Sequence, residues 1–157
     1  MRKYLIISLI IYASAFNLAS QELIVFKCDN DKCGLKDDKG NIIMECKYSS
    51  IGEFNKYGLA KVYIKPPIPL AKNRFGYINK TGKEVIECKY KLLGDFNDGL
   101  VDFMLDNERY GYMDDKGSIV IPAKYQRASG FWFGKAKVAY GDREYCIDKK
   151  GNEVPCD

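Results

Sequence analysis

With 157 residues, 46% apolar side chains and a formal charge of +4, the chain has the bulk for one folded domain and too much apolar content for disorder. Removing Arg2 and Lys3, which belong to the leader described next, leaves +2 and no electrostatic case for nucleic acid or an anionic membrane. Histidine is absent, which takes away the commonest general base and the usual nucleophilic triads.

Residues 1–20 read as an export signal. Arg2 and Lys3 supply the positive start, and Tyr4 to Ala15 is an unbroken run of apolar and small residues. About a dozen such residues suit a signal h-region and fall short of the roughly 20 that a membrane span needs. Cleavage after Ala15 satisfies the small-residue rule; cleavage after Ser20 is preferred, because Asn17 and Ser20 extend the polar end of the leader. No cysteine stands at that point to take a lipid. The expected mature domain is 21–157, secreted or periplasmic, with no stable membrane span.

Beyond the leader the chain repeats itself. Gly34-Leu35 leads through Asp38-Lys39-Gly40-Asn41 to Cys46-Lys47-Tyr48. Gly76-Tyr77-Ile78 leads through Thr81-Gly82-Lys83 to Cys88-Lys89-Tyr90, and Gly111-Tyr112-Met113 through Lys116-Gly117-Ser118 to Ala123-Lys124-Tyr125. A partial copy, Ile147 to Val154, closes the chain. The turn glycines 40, 82, 117 and 151 are spaced 42, 35 and 34 residues apart. The longer first interval holds Pro66-Pro67-Ile68-Pro69, a loop insertion. The second half of each unit recurs as well: Gly52-Glu53-Phe54, Gly94-Asp95-Phe96 and Gly130-Phe131 each lead to a glycine and a short β-type run. Leu23 to Asn30 aligns without a gap to Leu100 to Asn107. The mature chain is therefore half a repeat, three repeats and a final half.

A period near 35 also suits helical arrays, so local chemistry must decide. The turn glycines sit where positive φ lets a hairpin reverse. Flanking runs such as Glu84-Val85-Ile86 and Ser118-Ile119-Val120-Ile121 are β-branched and too short for helices. Glycine every dozen residues would cost a helix about 1 kcal/mol each time. The expected fold is all-β: tandem antiparallel hairpin and meander repeats of about 35 residues, in an open curved array, with a small propeller-like closure as the alternative.

These segments, above all Tyr77 to Ile86 and Val120 to Tyr125 together with Phe96-Asn97-Asp98-Gly99-Leu100, resemble the WG (or KWG) repeats of bacterial proteins. The likeness extends over nearly the whole mature chain. It departs at the namesake Trp-Gly pair, where this chain has Cys33-Gly34, Phe75-Gly76 and Tyr110-Gly111. The resemblance implies an all-β repeat domain and supplies no catalytic residues.

Six cysteines in an exported chain read as a disulfide framework. Cys28 and Cys33 flank a turn and are expected to face each other across a hairpin, as are Cys146 and Cys156. Cys46 and Cys88 hold one position in successive repeats and can bond only if their strands are direct neighbours. With no histidine and no Cys-x₂-Cys knuckle, a zinc site is not expected. No other metal or cofactor is expected either.

The carboxylate pairs Asp37-Asp38 and Asp114-Asp115 precede turn glycines at equivalent positions, so turn formation explains them better than catalysis. Asp29-Asn30-Asp31 is a calcium-loop fragment lacking its distal glutamate, and reads as a turn. In Lys47-Tyr48, Lys89-Tyr90 and Lys124-Tyr125, alternation sends tyrosine inward and lysine to solvent, where it guards an edge. The most informative departure from the repeat is Phe131-Trp132-Phe133: Trp132 and Phe133 replace Asn97 and Asp98, polar residues of a turn. Exposed aromatics mark interaction surfaces; the competing role is a cap on the last repeat. The insertion at Pro66, Pro67 and Ile68 is the second candidate surface. The reading is a non-catalytic module that binds a protein or glycan. A hydrolase using paired carboxylates, or a purely structural repeat, are the alternatives.

Overall fold

A computed structural model describes residues 22–29, 31–66 and 73–156; the expected leader, residues 1–20, and Pro67 and Ile68 lie outside them. All the described elements are strands. The first sheet holds β1 (Leu23–Lys27), β2 (Cys33–Asp37) and β3 (Ile42–Tyr48) in that order. The second holds β4 (Ser50–Phe54), β5 (Leu59–Ile64), β6 (Arg74–Asn79) and β7 (Glu84–Tyr90). The third holds β8 (Leu92–Leu93), β9 (Leu100–Met104), β10 (Tyr110–Asp114) and β11 (Ile119–Tyr125). The fourth holds β12 (Arg127–Ala128), β13 (Lys135–Tyr140), β14 (Arg143–Asp148) and β15 (Glu153–Val154). Every pairing is antiparallel between chain neighbours, the meander that the short glycine-punctuated runs lead one to expect.

The hairpin joining the last two strands of each sheet is built by one side chain. Asp37 Oδ1 accepts the N–H groups of Lys39 and Asn41. Asn79, Asp114 and Asp148 each accept a backbone N–H two and four residues on. The glycines 40, 82, 117 and 151 follow at φ between 77° and 87°. Turn formation thus consumes the first acid of each Asp-Asp pair.

A second glycine series has a different cause. Side chains at Gly34, Gly76 and Gly111 would place Cβ 2.6 Å from the carbonyl oxygens of Met44, Ile86 and Ile121 on the next strand. A β-bulge or register shift accompanies each crossing. In the fourth sheet the equivalent residue is Tyr145, opposite Val138. There the short β15 pairs only with Cys146 and Ile147, so no strand crosses the tyrosine.

The core lies in three slabs, each between adjacent sheets. Leu35 and Tyr48 pack with Ile51, Ala60 and Val62; Tyr77, Ile86 and Tyr90 pack with Phe96, Val101 and Phe103; Tyr112, Ile121 and Tyr125 pack with Phe131, Ala136 and Val138. The aromatic contacts recur with the repeat. Tyr77 meets Phe96 edge-on at 5.0 Å and donates its hydroxyl to the Gly94 carbonyl at 2.9 Å. Tyr112 meets Phe131 at 4.8 Å and donates to the Ser129 carbonyl at 2.8 Å. Burying each such ring is worth about 1.5–3 kcal/mol, and a hydroxyl left unpaired at that depth would forfeit much of it. Alternation behaves as expected: Tyr48, Tyr90 and Tyr125 are buried while Lys47, Lys89 and Lys124 lie outside, each over its neighbour's ring.

The row of sheets is open. Gly82 seats against Met44, Gly117 against Val85 and Ile86, and Gly151 against Ile121, each on the preceding sheet. Gly40, first of the series, has nothing within 4 Å. A closed ring would fill that seat from the last sheet; among the described residues it is empty.

The disulfides correct part of the expected framework. Cys146 bonds Cys156 as anticipated, but Cys28 bonds Cys46, and Cys33 and Cys88 are free thiols. The register explains the change. Lys27, not Cys28, lies opposite Cys33, and a one-residue offset turns a side chain to the other face. Cys33 is buried in the first core slab, whereas Cys28 shares its face with Gly34, on the side that β3 crosses. Cys88 occupies the Cys46 position of the second sheet and lacks a partner because Ile64 stands where Cys28 would be. Burial pushes its thiol up to about 11, and the sulfur donates to the Arg74 carbonyl at 3.1 Å.

Two measurements check this reading. Ile64→Cys is expected to oxidise with Cys88, protecting both thiols from alkylation and adding roughly 3 kcal/mol in urea unfolding; two freely alkylated thiols in the folded protein would refute the equivalence. Gly76→Ala is expected to cost about 2 kcal/mol or more by overpacking, and an unchanged denaturation midpoint would contradict the crossing described.

Candidate functional site

Within each of the last three sheets a tight turn joins the short first strand to the second: Asn55 to Leu59, Asn97 to Leu100, and Trp132 to Lys135. The first is one residue longer and is closed by Asn55, whose side-chain oxygen accepts the Tyr57 and Leu59 N–H groups. The other two are two-residue reversals. Asn97 and Leu100 exchange backbone hydrogen bonds, and Asp98 and Gly99 have φ of 50° and 86°. Trp132 and Lys135 exchange theirs at 2.8 and 3.0 Å, and Phe133 and Gly134 have φ of 49° and 79°. Two consecutive positive φ values define the mirror-image turn that matches strand twist.

Asp is a usual occupant of the first position in such a turn; Phe is not. A bulky side chain in the left-handed region costs roughly 1–2 kcal/mol, and burial of the ring does not repay it. Phe133 is 96% exposed and Trp132 is 66% exposed. The preceding Phe131 is fully buried against Tyr112, and its equivalent Phe96 is buried against Tyr77. The two aromatics therefore do not cap the last core slab. They project from it.

The conformation is held from the neighbouring sheet. The Gly134 N–H donates to Asp98 Oδ2 at 2.7 Å, and Lys149 Nζ donates to the Asp98 carbonyl at 3.1 Å. Asp98 thus occupies the Phe133 position of its own turn and tethers the next one. Repeat alignment exposes the Asp-to-Phe substitution, but this link between turns has no signal in the sequence.

Of the second sequence candidate only Pro66 is described, and it does not join this surface. β5 ends at Ile64 and β6 begins at Arg74, at the end of the sheet opposite the Asn55–Leu59 turn. Pro66, which follows directly, is partly buried; Pro67 and Ile68 are outside the described residues.

A groove of ≈ 360 Å³ opens between the second and third sheets, near the turn end, with Leu59, Tyr77 and Phe96 in its floor. Lys61 Nζ pairs with Asp95 Oδ1 at 2.7 Å in its wall. Burial raises the neighbouring Asp102 carboxyl above its ordinary range. Lys61 and Asp95 are thus occupied with one another. Among the described residues, no three Cys, Asp or Glu side chains are grouped to hold a metal.

Comparison with known proteins bears on the scaffold. The model of the WG containing repeat family matches residues 34–65, 75–108 and 110–141, more than half of the chain. These spans correspond to β2–β5, β6–β9 and β10–β13, so each match straddles two sheets. Among solved structures, the crystal structure of the computationally designed Ika8 protein is similar over 86% of this chain, at 12% identity and a TM-score of 0.40. The chain spans 46% of that design's length, and the likeness carries no argument about function. No curated protein matches.

The strain at Phe133 has a measurable consequence. Phe133→Gly is expected to raise stability by about 1 kcal/mol, read as a higher urea midpoint with an unchanged m-value. A lower midpoint would mean that the ring contributes to packing.

Proposed function

The chain belongs to the WG-repeat family, and on that premise we propose that it is a non-catalytic binding module, exported by a bacterial cell, that docks a protein or glycan on its Trp132–Phe133 turn. One observation carries the reading. An almost fully exposed phenylalanine stands in a backbone conformation that favours glycine or aspartate, so stability does not account for its presence. Contact with a partner would. Two rings on a rigid turn offer large apolar area at little entropic cost, which is how interface anchors work. The Asp98 tether supports this by fixing the turn before a partner arrives.

Export is supported by the leader-like residues 1–20 and by the two disulfides, which persist in an oxidising compartment. No described helix is long and apolar enough to cross a membrane. Turn formation by Asp37 and Asp114, which accept backbone N–H groups, supports the non-catalytic reading over one that uses the carboxylate pairs.

Trp132 is the chain's single tryptophan, so fluorescence excited selectively at tryptophan reports on the proposed surface alone. The test is capture from the native extracellular milieu by the wild type and by Trp132→Ser/Phe133→Asp at matched folding. A partner held by the wild type is expected to be lost by the variant and to shield Trp132 from acrylamide quenching. Equal capture by both, with Trp132 still open to quencher, would remove the proposed surface.

A further inference from the structure

The hairpins joining the second and third strands of successive sheets lie at the end of the array opposite the aromatic turn. At one junction they are tied by a fork. Arg74 donates from both terminal nitrogens to Asp106, at 2.6 Å to Oδ1 and 3.0 Å to Oδ2. Arg74 begins the third strand of its sheet, and Asp106 sits in the hairpin of the sheet that follows. Registers place the same pair one junction later. Arg109, preceding Tyr110, is the counterpart of Arg74, and Tyr140 and Gly141 are the counterparts of Leu105 and Asp106. The arginine has been kept while the carboxylate has become a glycine.

An open groove of ≈ 480 Å³ lies at that spot, lined by Arg109, Ala123, Lys124, Gln126, Tyr140 and Gly141. Arg109 and Lys124 form no ion pair with any described residue. The cations around them do: Lys91 with Glu108, Arg127 with Glu144, and Arg143 with Glu153. Asp142, the acid nearest in sequence, forms none and is exposed. Gln126 accepts the Gly141 N–H through Oε1 at 3.0 Å, which leaves its NH₂ as a donor. The Tyr140 ring is 55% exposed and braced edge-on by Tyr125 at 6.5 Å.

We propose that this groove binds the carboxylate of an acidic sugar, a hexuronate, with the carboxylate taking the place that Asp106 fills one junction earlier. A guanidinium fork fits a planar carboxylate with two parallel hydrogen bonds. Lys124 adds a point charge. The exposed Tyr140 ring offers a flat face for the pyranose, and the Gln126 amide offers a donor for its hydroxyls. The site is separate from the Trp132–Phe133 turn and does not rest on it.

The test is titration of the ¹⁵N-labelled full chain with digalacturonate, followed by amide shifts. Expected are saturable shifts confined to Arg109, Ala123 to Gln126, and Tyr140 to Asp142, with a Kd on the order of millimolar or tighter. Neutral galactobiose is expected to bind at least about tenfold more weakly. Arg109→Gln removes the fork, and Gly141→Asp restores the internal carboxylate; each is expected to weaken digalacturonate binding at least about tenfold. Gly141→Asp faces open space, and Asp tolerates positive φ, so it tests the site even should Arg109→Gln fold poorly. No saturable shift, or shifts unaffected by both variants, would overturn the proposal. Acetate or an acidic peptide binding as tightly as the uronate would overturn the assignment to a sugar.

Discussion

Everything in this molecule depends on how one sheet seats on the next. A three- or four-stranded antiparallel sheet cannot bury its apolar face alone. Here each sheet presents tyrosines from its later strands to the short opening strand of its successor. Tyr77 and Tyr112 enter that interface as both ring and hydroxyl, packing on Phe96 or Phe131 and binding a carbonyl beside it. The turn glycine of the successor fits back against the preceding sheet, as Gly117 does against Val85 in β7. The sequence repeat is out of phase with the sheets, so each repeat contributes its first half to one sheet and its second half to the next. No repeat folds by itself. Chain continuity crosses every junction that packing must hold.

That phase also explains the two ends. β1 is the half-repeat that completes the first sheet, and β14 with β15 completes the last. Each end carries a disulfide: Cys28–Cys46 spans the first sheet, and Cys146–Cys156 fastens the segment after β15. Cross-links placed where only one neighbour exists supply stability that packing on a second side gives the middle sheets. Both proposed surfaces sit where the pattern is broken. Phe133 stands in an aspartate's place in a turn, and Gly141 in an aspartate's place in a hairpin. One change adds apolar surface at a cost in strain; the other leaves a cation without its partner.

Much of this was legible in the residues. The spacing of the turn glycines, the β-branched runs and the Lys-Tyr alternation specify hairpins, inward tyrosines and outward lysines. The alignment of Leu23–Asn30 with Leu100–Asn107 already contains the half-repeat that becomes β1. Phe131 reads as core and its two successors as anomalies. Other features depend on register to a single residue. Cys28 and Cys33 flank a turn and invite pairing, but the offset that sets Lys27 against Cys33 places them on opposite faces. Whether the row closes depends on the angle between sheets, which composition does not encode; the vacant seat at Gly40 answers it. The positive φ of Phe133 is dictated by the following glycine and the Asp98 tether rather than by phenylalanine itself.

The central claim is that the fold holds Phe133 in a conformation unfavourable to it and leaves its ring in solvent. The backbone of that residue in solution tests this most directly. A positive φ gives a strong NOE between the Phe133 amide proton and its own α proton, with no ring contacts to Tyr112 or Phe131. That NOE pattern is expected of the strained turn. A negative φ, with the ring folded onto the sheet among Tyr112 and Phe131, would make the aromatic turn part of the core and contradict it.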